Sequence, residues 1–373
     1  MQVSPRIAII GGGPGGLTMA RILHVNGVEA TVFESDSAPD ARGQGGSLDL
    51  HTESGLMALA AAGLMPEFDK VARPEDQGVR LYDKDGTCVF DDGDEVHDGR
   101  PEIDRGQLRA LLLRSLPDRT VRWNSKVRAV EPAGNAWEVQ LDGGAGGVFD
   151  LVVGADGAWS RVRPLLSDEK PAHTGVTFVE LNIDGADRRH PALSAMVGPG
   201  KIFALADGKA LIAQRNSAGI HVYLALGEVE IDLSQPVEAR RQLVAQLPDW
   251  SPKLLAFIHA VGDTMAVRAI HAFPVGFRWD HRSGVTLIGD AAHVMSPFAG
   301  EGVNNAMLDA AELAKAVLQP DWRTAVQTFE EAMFARIPES AAQSAYAMEQ
   351  FLAPDGLANA IAIFNSFAIE TQA

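Results

Sequence analysis

An apolar run, Ile7-Ala8-Ile9-Ile10, leads straight into Gly11-Gly12-Gly13-Pro14-Gly15-Gly16 and then into a helix-forming stretch. This junction constrains the fold more than any other part of the chain. A short apolar run of this kind suits a strand buried on both faces. Glycines 11, 13 and 16 stand in the G-x-G-x-x-G register. In that register the first glycine permits a tight turn, the second lets a pyrophosphate approach the backbone, and the third lets helix and strand pack closely. The helix, expected over Leu17–Asn26 and stopped at Gly27, offers free N–H groups and the positive end of its dipole to phosphates. A second strand, Ala30–Glu34, completes a β-α-β unit. It delivers Glu34, 18 residues beyond Gly16, where a carboxylate accepts from ribose hydroxyls. The alternative is a glycine-rich loop without a ligand. With both strands, the helix and the acid in place, the reading is a dinucleotide site, and the motif does not separate NAD from FAD.

The full 373 residues allow two or three domains, and 46% hydrophobic with 22% charged residues is the composition of a globular chain. A formal net charge of −17 argues against a nucleic-acid partner. Cys88 is the single cysteine, so an internal disulfide and a cysteine-based metal site are excluded, and it reads as a strand residue. No apolar stretch reaches the ~20 residues of a membrane span, and no signal core precedes Ile7, so a cytoplasmic location is expected.

Hairpins begin near Val79, with strands Val79–Asp83 and Thr87–Phe90 flanking Lys84-Asp85-Gly86. A helix is expected over Arg105–Ser115, and Gly143–Gly147 reads as a hairpin loop. Candidate strands Thr177–Ile183, Lys201–Ala206, Ala210–Gln214, Ile220–Leu226 and Met265–Phe273 form a mostly antiparallel layer. One or two helices interrupt it, one of them entered by Ser251-Pro252. Helices follow from Glu301 to Val317 and from about Trp322, where Pro338 is expected to kink or split the helix. A last helix covers Leu357–Ile369.

Two segments sharpen the cofactor. Leu151 to Arg163 carries Gly154-Ala155-Asp156-Gly157, and Leu287-Ile288-Gly289-Asp290-Ala291-Ala292-His293 places an acid at a strand end. There Asp290 can accept from cofactor hydroxyls; alternatively it caps a helix, and Asp156 is a turn aspartate. The loop Pro297-Phe298-Ala299-Gly300-Glu301-Gly302-Val303-Asn304-Asn305 opens a helix whose N–H groups stabilise negative charge.

Together these segments resemble the class A, single-component flavoprotein monooxygenases, and within them the tetracycline-inactivating TetX-type enzymes. The likeness is densest in Ile9 to Pro14, Gly45 to His51, Pro101 to Arg109 and Gly289 to Asn304. It implies an α/β fold: a Rossmann-like FAD-binding domain, an inserted mostly antiparallel β-sheet substrate domain, and C-terminal helices. The division expected is 1–72, 102–172 and 276–320 for FAD binding, 73–101 as a hairpin added to the substrate layer, 173–275 as the substrate sheet, and 321–373 as the final helices.

The resemblance assigns Gly11, Gly13, Gly16, Glu34, Asp49, Arg105, Asp156, Asp290, Gly302, Val303 and Asn304 to FAD, and Arg42 to NADPH. It places Glu180, Lys201, His221, Tyr223, Pro297, Phe298 and Gly300 at the substrate. Glu180 stands where TetX-type enzymes have glutamine, Lys201 where they have arginine, Tyr223 where they have glycine, and Glu301 where they have glutamine.

The resulting expectation is a monomeric NAD(P)H-consuming enzyme that hydroxylates a phenolic or polycyclic substrate, plausibly tetracycline-type, through a C4a-hydroperoxyflavin. No side chain is assigned as catalytic and no metal is needed. His221 either orients an acidic substrate hydroxyl or is a hydrogen-bonded strand histidine; His293 packs near the Gly289-Asp290 turn. Ser160 and Ser296 lack a nucleophile-elbow sequence. An FAD oxidase or dehydrogenase on the same fold, or a nucleotide-binding sensor without turnover, remain as alternatives.

Overall fold

The computed structural model describes residues 4–370 apart from positions 42, 44 and 93–99. Arg42, assigned above to NADPH, therefore lies outside the described residues. A five-stranded parallel sheet runs in the order Val285–Leu287, Leu151–Gly154, Ile7–Ile10, Ala30–Phe33, Val121–Arg122. All of its pairings are parallel. Three widely separated stretches of chain thus build one sheet, and Ile7–Ile10, buried along its whole length, is at its centre. The glycine turn leads into helix Pro14–Val25, with Pro14 in its first turn and Gly27 at φ +76° just beyond its end.

A second, seven-stranded sheet has the order Met265–Ala272, Ala172–Asp184, Gly219–Leu226, Lys209–Asn216, Gly200–Ala206, Gly78–Tyr82, Cys88–Asp91. Every pairing in it is antiparallel except Gly200–Ala206 with Gly78–Tyr82. Strand alternation divides its side chains cleanly. Val179, Leu181, Ile183, Ile220, Val222 and Leu224 face outward and pack beneath helices Pro236–Ala245 and Pro252–Ala260. The opposite, inner face turns toward the parallel sheet and the C-terminal helices. The mixed α/β architecture expected from the resemblance is the one observed.

Three local expectations are corrected. Gly144–Phe149 is a strand, pairing with Ala136–Leu141 across a bulge between Ala145 and Gly147. Gly144 and Gly147 adopt φ +130° and +128°, so these glycines serve a bulged strand instead of a loop. Two short helices, Ala186–Arg189 and Pro191–Val197, bring to four the helices between the substrate-layer strands. Helix Trp322–Phe351 is not split, since it continues through Pro338. One backbone hydrogen bond is lost there, but Val326, Phe329, Met333 and Ile337 anchor the helix in the core. The last helix, Gly356–Glu370, folds back so that Phe364 meets Phe351 and Phe203 of the inner face. No described helix is long and apolar enough to cross a membrane.

Candidate active site

Glycine positions in the turn act through what a side chain would strike. A Cβ on Gly11, which sits at φ +111°, would overlap the Ala155 carbonyl of the neighbouring strand. One on Gly16 would overlap the Gly11 carbonyl, so both glycines hold the turn against the sheet. Gly13 is different: nothing lies within 4 Å of its would-be Cβ. It opens the helix with no side-chain cap, leaving the first-turn N–H groups available. An open face at this glycine fits the approach of a pyrophosphate.

Glu34 is buried at the end of its strand and already has partners. Its carboxylate accepts from the Gly12 N–H at 2.8 Å, the Asp36 N–H at 2.9 Å and the Ser35 hydroxyl. Three of roughly four lone-pair positions are filled, which leaves room for one ribose hydroxyl. Arg109, a residue outside the expected site set, braces the same turn. Buried in helix Arg105–Arg114, it donates to Gly12 O at 3.2 Å, Pro39 O at 2.6 Å and Asp36 at 3.2 Å. Nothing local in the sequence marks it, because its acceptors lie about 70 to 100 residues away.

Asp156 and Asp290 follow adjacent parallel strands. Asp156 accepts from the Arg161 N–H at 2.6 Å, while its other oxygen is buried without a partner. Burial pushes its pKa up, against the Ser160 hydroxyl and the Arg161 N–H. It is a turn aspartate with one oxygen to spare. Arg163 ties the two motif segments together, donating to Ala158 O at 2.7 Å and Ala291 O at 3.0 Å. Asp290 has no hydrogen-bond partner among the described residues and presents accessible surface at the cleft. Burial nonetheless raises its pKa, with His293 and Arg105 opposing. It does not cap the helix that it opens. His293 turns away to Asp309 at 2.6 Å, and Asp309 also accepts from Gly289 N–H and Arg336. Burial works against the Asp309 charge, but these partners outweigh it and hold the carboxyl low.

The other side of the cleft begins at Pro297–Ala299, a single turn, with Gly300 at φ +71° starting helix Glu301–Val317. Gly302 faces open space. It and Val303 lie in the first turn, where backbone N–H groups have no helical partner. Asn304 uses its side chain as a clamp: Nδ2 donates to Asp49 O at 2.9 Å and Oδ1 accepts from His51 N–H at 2.9 Å. Asp49, close to Gly300, is held below the usual carboxylate range because the Lys201 charge and His51 overcome its burial. Lys201 is flanked by Asp49 and by Glu102 at 3.7 Å; burial opposes its charge, and the two carboxylates raise its pKa regardless. Glu102, 2% exposed, also accepts from the Ser47 hydroxyl at 2.5 Å and from Gln214.

The strand register places Glu180, Lys201, His221 and Tyr223 on the inner face of the seven-stranded sheet. Glu180 pairs across to Tyr223, Tyr223 to Ile212, and His221 to both Asn182 and Gln214, with Lys201 beside Gln214. His221 is 1% exposed. Its Nδ1 donates to Asn182 Oδ1 at 2.7 Å, and its buried Nε2 has no partner. Burial, with Arg105 and Arg268 adding, pushes the imidazole down to about 4, so it is neutral and Nε2 offers a lone pair. Burial chiefly pushes the Tyr223 hydroxyl up to about 12. Gly46, at φ +83°, lies against that hydroxyl, and a Cβ there would collide with it. Phe178 joins the two walls, its ring 5.5 Å from Tyr223 and 5.5 Å from Phe298. Glu180, expected at the ligand, is already engaged: Arg268 Nε donates to its Oε1 at 2.5 Å. Arg105, at the start of its helix, electrostatically reaches Asp290 on one wall and His221 and Tyr223 on the other. Asn182, Gln214 and Arg268 escaped the sequence reading because only strand pairing shows which residues share this face.

Comparison with known proteins identifies the family. The family described as FAD binding domain matches residues 5–325. Monooxygenase penA of Penicillium thymicola is 32% identical over 365 residues, covering 83% of this chain and 84% of that one. Among solved structures, Klebsiella pneumoniae HpxO complexed with FAD and uric acid superposes with a TM-score of 0.79 at 21% identity, over 98% of this chain and 92% of that chain. Tetracycline destructase Tet(51) gives 0.73 at 20% identity, over 99% and 98%. The chain belongs to the FAD-binding-domain family of class A flavin monooxygenases. It is a flavin-dependent monooxygenase, with FAD as its cofactor.

Proposed function

We propose that the chain uses NAD(P)H and O2 to hydroxylate a planar, electron-rich phenolic or enolic ring system, with tetracycline-type polyketides as first candidates. The observation that carries this reading is the pairing of two walls. One holds the open Gly13 helix start and the unpartnered Asp290; the other holds the neutral His221 with a free Nε2 among Phe178, Tyr223 and Phe298. FAD, when bound, supplies electron transfer and the activation of oxygen.

The protein's own residues do the rest. Gly13, Gly302 and Val303 present backbone to the cofactor, and Glu34, Asp290 and Arg105 fix its polar groups. His221 Nε2 accepts from an acidic hydroxyl and orients the ring, with Asn182 locking the tautomer. The aromatic wall excludes water from the reacting carbon. HpxO, crystallised with uric acid, and a tetracycline destructase are folded alike, which supports a planar, oxygen-rich substrate.

The test is substrate-stimulated NADPH and NADH oxidation across phenols, urate and tetracyclines, with product masses. Oxidation coupled to a hydroxylated product supports the reading. Stoichiometric peroxide with unaltered substrate in every case contradicts it.

A further inference from the structure

Within a chain of net charge −17, the cleft wall around His221 and Tyr223 carries charges of both signs, Arg105 and Arg268 against Glu180 and Glu102. Two guanidiniums act on this pair: Arg105, at the start of helix Arg105–Arg114, and Arg268, on the edge strand Met265–Ala272 opposite Phe178. Lys201 is compensated by Asp49 and Glu102, whereas Arg105 has no ion pair to a described residue. Among the described residues, Arg268 makes one side-chain hydrogen bond, Nε to Glu180 Oε1. Its side chain stays 61% exposed, against 18% for Glu180. A guanidinium anchored through Nε keeps both terminal nitrogens free and oriented, the arrangement that receives an anionic oxygen. The neighbouring groups do not take that role. His221 is neutral and Tyr223 stays protonated, so neither competes with an anion for Arg268.

We propose that Arg268, positioned by Glu180 and facing its cross-strand neighbour Phe178, is a specificity residue that binds an ionised substrate oxygen, a phenolate or enolate, separate from the hydroxyl that His221 Nε2 accepts from. The proposal deepens the function given above and rests on it. A glutamine at position 180 keeps an acceptor oxygen for Arg268 Nε and removes the carboxylate charge that competes with a substrate anion for the guanidinium. The substrate class that follows is an acidic phenol or enol, selected over its neutral O-alkyl ether.

The probe pair is 4-nitrophenol and 4-nitroanisole, titrated into the FAD-loaded enzyme at about pH 8, where the first is anionic and the second neutral. Binding is read from difference spectra. Wild type is expected to prefer the phenolate by about tenfold, the scale of one charge-assisted hydrogen bond. Arg268→Gln abolishes most of that preference, Arg268→Lys keeps part of it, and Glu180→Gln strengthens phenolate binding. Equal affinities in wild type, an undiminished preference in Arg268→Gln, or no binding of either probe at millimolar concentration would overturn the proposal. FAD content is measured on the same samples. Loss of FAD from wild type counts against the monooxygenase function, whereas normal FAD content without phenolate preference counts against Arg268 alone. Melting temperatures of the variants separate misfolding from lost recognition.

Discussion

At the glycine turn, function depends on missing side chains: Gly11 and Gly16 leave space that the neighbouring backbone fills, and Gly13 leaves space that nothing fills. On the inner face of the seven-stranded sheet the reverse holds. There Glu180 meets Arg268, His221 meets Asn182, and Lys201 meets Glu102, each pair drawn from different strands or distant segments. The turn is a local backbone device that tolerates almost no variation. The sheet face is a set of cross-strand side-chain pairs that can be exchanged one at a time. A single fold thereby keeps its cofactor while its substrate wall is free to change.

The sharpest break of this contrast is Gly11→Ala beside Gly13→Ala. The first forces a side chain into the Ala155 carbonyl at positive φ, and a destabilisation of roughly 2–4 kcal/mol is expected, with loss of FAD. The second meets no protein atom, so the FAD-free protein should melt within about 0.5 kcal/mol of wild type while FAD retention falls. Thermal melts of the FAD-free proteins and FAD titrations check both. A Gly13→Ala protein that unfolds like Gly11→Ala would erase the distinction.

A smaller effect comes from Asp290→Asn. Loss of charge-assisted hydrogen bonds, each worth ~1.5–3 kcal/mol, should weaken FAD binding at least about tenfold. The FAD-free protein should change the other way. Burial raises the Asp290 pKa in the fold, so the folded state holds this proton more tightly than the unfolded state. Its charge therefore costs stability once the pH exceeds the ordinary carboxylate range, and that cost is absent below it. Asp290→Asn should raise the melting temperature at pH 7, with the gain shrinking toward about pH 4. A variant less stable than wild type at pH 7 without FAD would mean that Asp290 has a structural partner.

Least of all should change in Cys88→Ser. Cys88 is exposed on the edge strand Cys88–Asp91, and a shift within about 0.5 kcal/mol with unchanged activity is expected. Inactivation of a normally folded Cys88→Ser enzyme would bring this hairpin into the site.

The same contrast explains what the sequence disclosed. The glycine turn, Glu34 and Asp290 were legible because backbone sterics and strand ends write short, fixed spacings. The inner-face strands were legible as elements, and His221 and Tyr223 as candidates through resemblance to a family. Arg268 and Asn182 were not, since their roles arise only when Met265–Ala272 and Gly219–Leu226 both pair with Ala172–Asp184. Arg109 was hidden for a related reason: its three acceptors, Gly12, Asp36 and Pro39, lie about 70 to 100 residues away in sequence. The strand at Gly144–Phe149 was missed because glycines that permit a bulge look like glycines that make a loop.

The central claim is that the two walls together insert one oxygen atom from O2 into an acidic ring substrate. It is tested most directly by turnover under ¹⁸O2 with NADPH, using the substrate that most stimulates its oxidation, followed by mass spectrometry of the product. The account predicts a product carrying one heavy oxygen, formed in proportion to NADPH consumed. A product that takes its oxygen from water, or unlabelled substrate beside stoichiometric heavy peroxide, would contradict it.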